Sequence, residues 1–218
     1  MRIGVFGATG PAGSGLAARL AASGHEVIIG SRSAERAQEV RDEIVGQWPE
    51  HNLVITSGSN EDAASAEVVV IATPWEGASV TAGALAPQLA GKIVICMANA
   101  LLRVGKEFQP LVPPRGSVAG NVAAAIPESF VAAAMHHIPA KELGDLNNPV
   151  DADVLVASDH ADASRVTSEL IESMPTMRAL DAGSLALAAP IEAFTAVLLQ
   201  LNVRYKTRAG VKFTGIEK

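Results

Sequence analysis

Three glycines near the start of the chain have a spacing that suits the binding of a dinucleotide. Gly7, Gly10 and Gly13 follow the pattern G-x-x-G-x-x-G, directly after a short apolar run. We expect Gly7 to permit a sharp turn, Gly10 to let the backbone approach a phosphate, and Gly13 to let a helix pack against a sheet. The N-terminus of such a helix offers unpaired amide groups and a positive dipole end to an anion. The pattern therefore predicts a pyrophosphate site at this turn.

The end of the next apolar run indicates which dinucleotide fits. NAD-binding chains carry an acidic residue here that holds the ribose 2′-hydroxyl, whereas this chain has Ser31 and Arg32, with Arg36 one helical turn later. A hydroxyl and two guanidinium groups suit a 2′-phosphate, because arginine pairs bidentately with phosphate oxygens. We therefore predict NADP(H). The alternative is that Arg32 and Arg36 are solvated charges in the first turn of a helix.

Two later segments are expected at the same crevice. Thr73, Pro74 and Trp75 follow the β-branched run at residues 68–72, and residues 97–100 follow another apolar run. Ligands of doubly wound sheets lie beyond the carboxyl ends of the strands, so Thr73, Pro74 and Trp75 are predicted to line the nicotinamide side. For Trp75, an ordinary packing role is an equally good interpretation.

The adjacent histidines His136 and His137 come directly after a predicted strand at residues 130–134. Neighbouring residues of a strand point to opposite faces, so the two rings are poorly placed to hold one metal ion. No cluster of cysteines or carboxylates completes a metal site. The pattern favours a hydrogen-bonding or stacking role for one histidine and predicts no metal.

An α/β fold is required to bring these residues together. The first 32 residues predict a strand, a glycine turn, a helix and a second strand, and the continuous apolar run at residues 68–71 is typical of a parallel strand buried on both faces. We predict a Rossmann-like, doubly wound, mostly parallel sheet, with an NADP-binding domain at 1–183 and a small C-terminal helical extension at 184–218. The other predicted elements are helices at 33–48 (N-cap Ser33), 60–66 (cap Asn60), 76–89 and 121–126, strands at 53–56, 154–157 and 177–180, a helix cap at 158–159, a turn at 181–183, and irregular segments at 103–116 and 141–153.

The last apolar segment differs from the rest. Apolar residues recur at helical spacing after Pro190, from Ile191 to Tyr205, and the apolar face is broader than a single surface helix needs. This helix is expected to close over the crevice, to form a dimer interface, or both. The apolar pattern at 191–201 contains Glu192 and Gln200 and is shorter than the roughly 20 residues of a membrane span, so no membrane partner is predicted.

Composition limits the classes of function. With 218 residues, 49% of them hydrophobic and 18% charged, the chain can bury a sizeable core. Its net charge of −6 argues against a nucleic-acid partner. The single cysteine, Cys96, forms no internal disulfide, and Met1 leads directly into a strand rather than a targeting signal, so we expect a cytoplasmic protein.

One family that shares the glycine turn is excluded by its chemistry. The form GATGPAG also occurs in extended and atypical short-chain dehydrogenases, which transfer a proton through a Tyr-x-x-x-Lys pair. The one tyrosine here is Tyr205, and Ala209 stands four residues later. The chain therefore lacks the residues for that reaction.

From Met1 to Phe213 the chain resembles the NADPH-dependent reductases of the deazaflavin coenzyme F420. The resemblance rests on the glycine turn with Thr9, on GHEVIIGSR at 24–32, on TPWE at 73–76, on His136-x-Ile138-Pro139-Ala140, on LDAG at 180–183 and on VKF at 211–213. The chain departs from the family pattern in two places: residues 97–100 lack prolines that are common there, and Ala193 stands where a hydroxyl residue can occur.

The resemblance implies hydride transfer between NADP(H) and coenzyme F420 within a ternary complex. His136 would orient or polarise the deazaflavin and Thr195 would hydrogen-bond it, with the C-terminal segment closing the deazaflavin pocket of a homodimer. Hydride transfer between two planar rings needs close stacking more than a strong acid or base, which agrees with the lack of a nucleophile, carboxylate pair or metal cage. By the same resemblance, NADP is bound by Thr9, Gly10, Pro11, Ala12, Ser31, Arg32 and Arg36, and the stacked rings are lined by His136, His137, Ile138 and Ala140.

Two other classes of function remain open at this point. One is an NADP-dependent reductase of another acceptor, such as ferric iron, a quinone or a small carbonyl compound. The other is a non-enzymatic NADP(H) sensor that binds a protein through its apolar C-terminal face. An enzyme turns over with some acceptor, whereas a sensor binds NADP(H) and changes its partner or oligomeric state without turnover.

Overall fold

A computed structural model describes residues 1–216 of the chain. Its ten strands belong to one large sheet and one small hairpin within this part of the chain. The strands are β1 (Arg2–Phe6), β2 (Glu26–Ser31), β3 (Ile55–Ser59), β4 (Val68–Ile71), β5 (Ile93–Cys96), β6 (Leu101–Val104), β7 (Glu107–Pro110), β8 (Phe130–Ala133), β9 (Ala152–Ser158) and β10 (Met177–Gly183).

Helices connect most of these strands. Besides the α-helices, the described part of the chain has single 3₁₀ turns at Pro49–His51 and Leu185–Leu187. The α-helices are α1 (Pro11–Ala22), α2 (Ala34–Gln47), α3 (Asn60–Ala64), α4 (Trp75–Ala84), α5 (Ala86–Leu89), α6 (Val118–Ala125), α7 (Ala140–Leu143), α8 (Ala161–Glu172) and α9 (Ala188–Tyr205).

The large sheet has eight strands in the order β10-β9-β8-β5-β4-β1-β2-β3. All neighbouring strands are parallel except β8 and β9, which pair antiparallel with Ala132 opposite Ser158. The predicted Rossmann-like, mostly parallel sheet is therefore confirmed. The antiparallel step places the start of β9 at the same edge as the carboxyl ends of the parallel strands, which matters for the site.

Alternation along the central strands builds a core on each face of the sheet. On β4, Val68 and Val70 pack with α1 and α2 on one face, and Val69 and Ile71 pack with α3, α4 and α6 on the other. All four side chains are buried, which is why this strand shows a continuous apolar run instead of alternating polarity. The two cores hold the carboxyl ends of the strands at a common edge.

The clearest wrong prediction concerns residues 103–116, which were expected to be irregular. The structure has a hairpin there, in which β6 pairs antiparallel with β7 and Val104 faces Glu107 across the turn. Gly105 makes the turn at a φ of +61°, and Pro113 and Pro114 follow the second strand. Gly105 thus lies at the turn, Pro110 is the last residue of β7, and Pro113 and Pro114 lie beyond the strands.

Other differences are smaller. Strand β3 begins two residues later than predicted, and the helix predicted at 76–89 is divided into α4 and α5 around Leu85, next to Pro87. The segment 141–153 contains most of α7 and the start of β9, and the predicted turn at 181–183 belongs to β10. The cap of α3 is Ser59 and that of α8 is His160, instead of Asn60 and residues 158–159.

Helix α9 is longer than the sequence pattern predicted. Together with the preceding 3₁₀ turn it spans Leu185–Tyr205, 21 residues that are long and apolar enough to cross a membrane by length and composition alone. A third of the tested window is buried inside the protein, and its Glu192 and Thr195 are both buried. The helix packs against α6 and the hairpin. Glu217 and Lys218, the last residues of the predicted C-terminal extension, lie outside the described part.

Candidate dinucleotide site at the carboxyl edge of the sheet

A cleft of about 750 Å³ lies beyond the carboxyl ends of strands β1 to β5. Its lining includes the glycine turn, polar groups at the ends of β2 and β3, and Asn99 after β5. Ten residues named from the sequence line it: Gly7, Thr9, Gly10, Pro11, Ala12, Ser31, Arg32, Thr73, Pro74 and Trp75. Met97, Ala98 and Asn99, from the segment at 97–100 that was also expected at this crevice, line it as well. Residues that the sequence did not indicate complete the lining: Asn60, Ala72, Gly77 and Thr81.

The glycine turn has the geometry that a phosphate site requires. Gly7 has a φ of +74°, and a Cβ there would lie 2.7 Å from the Thr73 Cα, so the backbone of β4 passes directly beside the turn. Gly10 is the N-cap of α1 and supplies no side-chain hydrogen bond to the first turn. The first amide groups of α1 are therefore free of a side-chain cap, as an anion at a helix N-terminus requires. Gly13 does not line the cleft, because it packs against Ala8 behind the turn.

One end of the cleft is formed where β2 and β3 finish. Ser31 and Arg32 line it, and the Ser31 hydroxyl accepts a hydrogen bond of 3.2 Å from the Ser33 amide. Arg36 does not line the cleft; its Nη1 lies 2.9 Å from a Glu39 carboxylate oxygen. Of the two arginines named from the sequence, the structure brings only Arg32 to the cleft.

Thr73 lies nearer to the glycine turn than the sequence suggested. Its backbone contacts the turn at Gly7, and its hydroxyl is buried without a hydrogen-bond partner among residues 1–216. Pro74 precedes the first residue of α4, which is Trp75. Because a buried hydroxyl without a partner loses free energy, this atom is positioned to meet a polar group of a ligand.

Behind the opposite end of the cleft, which Asn99 lines, three elements meet at the backbone carbonyl of His136. The Asn99 amide nitrogen donates a hydrogen bond of 2.9 Å to this oxygen, and the Thr195 hydroxyl of α9 donates one of 3.1 Å. Met135, the preceding residue, has a φ of +67°. A non-glycine residue in this region stores backbone strain, which persists only where surrounding contacts hold it. Asn99 and Thr195 supply those contacts.

The His136 ring is buried and neutral. Burial, and then the neighbouring His137, lower the pKa of the imidazole to about 3. The ring faces the backbone of Met97 and Ala98, but neither ring nitrogen makes a hydrogen bond of good geometry within the described residues. Its carbonyl is occupied by Asn99 and Thr195, so the ring nitrogens are the groups left for a ligand or a water molecule.

His137 has a different environment. Its Nε2 lies 2.8 Å from the Asp153 carbonyl oxygen at the start of β9, and burial lowers the pKa of its ring as well. The two histidines thus have separate partners. Within residues 1–216 no three histidine, cysteine, aspartate or glutamate side chains are grouped closely enough to hold a metal ion.

None of the four predicted ring-stacking residues lines the cleft, and neither does Thr195; these four are His136, His137, Ile138 and Ala140. Ile138 is buried in the apolar core, and Ala140 begins α7 and lines a second, more open cavity of about 690 Å³ with Pro11 and Trp48. Asn60, which follows β3 directly, was missed as a site residue, whereas Asn99 was expected at the crevice as part of the segment at 97–100. Position at a strand end was the available signal, since polar residues there face the cleft.

Helix α9 is tied to the site by a buried carboxylate. The two Glu192 carboxylate oxygens accept hydrogen bonds of 2.8 and 3.0 Å from the Val118 and Ala119 amides at the start of α6. Burial raises the pKa of Glu192 to about 7, although the two amides oppose this shift. Thr195 lies one turn further along α9, so this contact fixes the part of the helix that reaches His136.

Several known proteins with similar sequences share one description. A family model described as NADP oxidoreductase, coenzyme F420-dependent, matches residues 2–100. The chain is 37% identical to an F420-dependent NADP reductase of Methanothermobacter thermautotrophicus, over 99% of this chain and 96% of the relative. It is 36% identical to one of Methanocaldococcus jannaschii, over the full length of both.

A solved structure is similar over almost the same length. It is described as a putative F420-dependent NADP-reductase from Arthrobacter sp. FB24. It matches with a TM-score of 0.81 and 29% identity, over 95% of this chain and 96% of the other. The similarity includes the C-terminal helix as well as the sheet.

Proposed function

The chain belongs to the family of coenzyme F420-dependent NADP oxidoreductases, and from this premise we propose that it transfers hydride between NADP(H) and the deazaflavin coenzyme F420. One observation carries the proposal. A single cleft runs from Arg32, past an uncapped helix N-terminus, to the pocket beside Asn99. The order of charged and apolar groups along the cleft matches the order of parts in the dinucleotide, which are a phosphorylated adenosine, a pyrophosphate and a flat ring.

The NADP half of the site follows from the chemistry of the lining. Gly7, Gly10 and Gly13 shape the turn, and the amides of α1 beside Thr9, Pro11 and Ala12 meet the pyrophosphate. Ser31 and Arg32 meet the 2′-phosphate. Arg36 contributes only if its guanidinium leaves Glu39, and both side chains of that pair are exposed enough to rearrange. Thr73, with its unpartnered hydroxyl, meets the dinucleotide near the glycine turn.

The hydride-transfer half of the site is built by β5, β8 and α9. NADPH supplies a hydride from its nicotinamide ring, and the deazaflavin accepts it together with a proton. His136 presents a neutral ring that orients or polarises the deazaflavin, and Thr195 accepts a hydrogen bond from it while donating to the His136 carbonyl. Trp75, His137, Ile138 and Ala140 complete the walls or hold them in place. Burial excludes water from the reacting atoms.

We also propose a homodimer in which the segment 184–218 closes the deazaflavin pocket of the domain at 1–183. Several large apolar side chains of α9 and of the β6–β7 hairpin are exposed, as is typical of an interaction surface. A dimer would cover it, and with a buried lone Cys96 and a net charge of −6 we expect a cytoplasmic enzyme without a nucleic-acid partner. The exposed residues of this surface are Leu102, Val104, Phe194, Val197, Leu201 and Tyr205.

The direct test mixes the purified protein with NADPH and oxidised coenzyme F420 and follows the deazaflavin absorbance. We expect rapid bleaching that requires NADPH and is much slower with NADH. Absence of bleaching while NADPH still binds would overturn the proposed acceptor. Ferric iron, quinones and small carbonyl compounds would then be assayed for turnover. Tight NADP(H) binding without any turnover would favour the sensor function.

A further inference from the structure

The side chain of Asn60 is an unexplained polar group in the floor of the cleft. It follows directly after β3, and its Oδ1 atom is buried without a hydrogen-bond partner among residues 1–216. It lines the same cleft as Ser31 and Arg32. A buried amide oxygen without a partner destabilises the fold, so native chains rarely keep one unless a ligand or water satisfies it.

The surrounding backbone is arranged to hold Asn60 in this position. Ser59 and Asp62 form a reciprocal capping box that fixes the first turn of α3. Gly30 on the neighbouring strand leaves the necessary space, because a Cβ there would lie 3.0 Å from the Asn60 Oδ1 and 2.8 Å from the Ala63 Cβ. The side-chain amide of Asn60 is thus held next to the end of β2 by the capping box and by the space at Gly30. Neither of these uses the polar atoms of the amide.

From these contacts we propose that Asn60 is a binding residue for the adenosine ribose of the dinucleotide, hydrogen-bonded to the hydroxyl that carries no phosphate. The inference rests on the proposed NADP function. A phosphate at neutral pH only accepts hydrogen bonds, so it cannot satisfy Oδ1, whereas Ser31 and Arg32 supply donors for it. A ribose hydroxyl both donates and accepts, so it satisfies the amide in either orientation.

The proposal predicts a specificity pattern that differs from that of Arg32. The unphosphorylated hydroxyl occurs in both NADPH and NADH, so Asn60→Ala weakens the binding of both, by about three- to tenfold for one lost neutral hydrogen bond. Arg32→Ala weakens NADPH and leaves NADH nearly unchanged, because only NADPH has the 2′-phosphate. Asn60→Asp keeps the acceptor oxygen and adds a charge, so it weakens NADPH more than NADH.

The experiment measures dissociation constants by titration for NADPH, NADH and adenosine 2′,5′-bisphosphate, which carries the adenosine half alone. Wild type, Asn60→Ala, Asn60→Asp and the matched control Asn99→Ala are compared. We expect Asn60→Ala to weaken the bisphosphate by the same factor as NADPH, and Asn99→Ala to leave it unchanged. An NADPH analogue with hypoxanthine in place of adenine should show the same loss.

The thermal midpoint of the ligand-free protein separates binding from folding. Asn60→Ala removes a buried oxygen without a partner, so its midpoint should equal or exceed that of the wild type, while its affinity falls. Unchanged affinities, or a loss that disappears with the hypoxanthine analogue, would overturn the ribose contact. If the wild type itself bound neither NADPH nor the bisphosphate, the proposed NADP function would fail instead.

Discussion

At the scale of single residues, burial decides which groups are available for chemistry. The pKa of His136 falls to about 3, so its ring is a neutral imidazole throughout the physiological pH range. A neutral imidazole donates one hydrogen bond and accepts one, but it does not supply a proton as an imidazolium would. This suits a reaction in which hydride moves directly between two stacked rings.

Removal of the His136 ring should therefore affect the chemical step and not NADP binding. We expect His136→Ala to lower the single-turnover rate of hydride transfer about tenfold, with the dissociation constant of NADPH changed less than about twofold. Stopped-flow absorbance of the deazaflavin measures this rate. In the wild type the rate should show no transition from His136 between pH 5 and 9. An unchanged rate in the variant would remove His136 from the mechanism.

The residues at the end of β2 should determine the choice of dinucleotide. Ser31→Asp combined with Arg32→Ala introduces a carboxylate that repels a 2′-phosphate and removes its cationic partner. We expect the ratio of NADPH to NADH affinity to fall by about a hundredfold, because two charged contacts of about 1.5 kcal/mol each change. Parallel fluorescence titrations with both dinucleotides measure the ratio. The single variant Arg41→Ala is the control, since this arginine of α2 pairs with Asp42 and does not line the cleft. A constant ratio in the double variant would refute the 2′-phosphate assignment.

At the scale of elements, a few polar contacts join α9 to the sheet. Glu192 caps the start of α6, and Thr195 holds the carbonyl that follows the strained Met135. Helix α9 is apolar over most of its length, so these two side chains determine how it is rotated against the domain. A one-residue rotation would withdraw Thr195 from His136, because helix faces repeat every 3.6 residues.

The Glu192 contact predicts a specific pH dependence of stability. The pKa of Glu192 in the folded protein is about 7, above the value near 4.3 of an exposed glutamate. Between these two pH values the folded state keeps a proton on Glu192 that the unfolded chain has lost. The free energy of unfolding therefore falls as pH rises through this window and is level above it.

Chemical denaturation at pH 5 and pH 8 measures this effect. From pH 5 to pH 8, the free energy of unfolding of the wild type should fall by up to about 3 kcal/mol more than that of Glu192→Gln, because the glutamine cannot titrate. Identical slopes for the two proteins would show that Glu192 does not titrate in this window.

At the scale of the whole molecule, the apolar surface of α9 and the hairpin is the feature that a single chain leaves uncovered. Phe194, Val197 and Leu201 repeat every three to four residues on the outer side of α9, opposite the buried Glu192 and Thr195. The hairpin strand β7 contacts the same helix. A second copy of this chain would bury both elements and support the wall of the deazaflavin pocket.

A charge in this surface should therefore separate the protomers. Val197 is 50% exposed, and burial of an aspartate at this position in an interface has a large desolvation penalty. We expect Val197→Asp to weaken dimerisation about a hundredfold or more, measured by sedimentation at micromolar concentration. Val54→Asp, with a valine exposed to 55%, is the matched control and should leave the dimer intact. A wild-type protein that sediments as a monomer would contradict the proposed dimer.

The sequence by itself determined the features that depend on neighbouring residues. The glycine turn between a strand and a helix, Arg32 at the end of β2, the buried run of β4 and the Ser33 cap of α2 all follow from patterns a few residues long, and the structure has each of them. The eight-stranded, mostly parallel sheet follows from the same patterns. These sequence patterns are strong because the backbone conformation and burial that they require depend on residues close together in the chain.

Only the tertiary structure decided which side chains meet. The contact of Asn99 with His136 spans 37 residues, and those of Glu192 with α6 span 74 and 73. Strand β9 runs antiparallel to β8, which brings the Asp153 carbonyl to His137. This direction depends on the order of strands in the sheet, and no short sequence pattern indicates it. Arg36 and Arg32 have the same side chain one turn apart, but only one reaches the cleft, because neighbouring glutamates hold the other. Such choices depend on packing and on the partners that the fold brings near, since the energy of a hydrogen bond or an ion pair is set by distance in space and not along the chain.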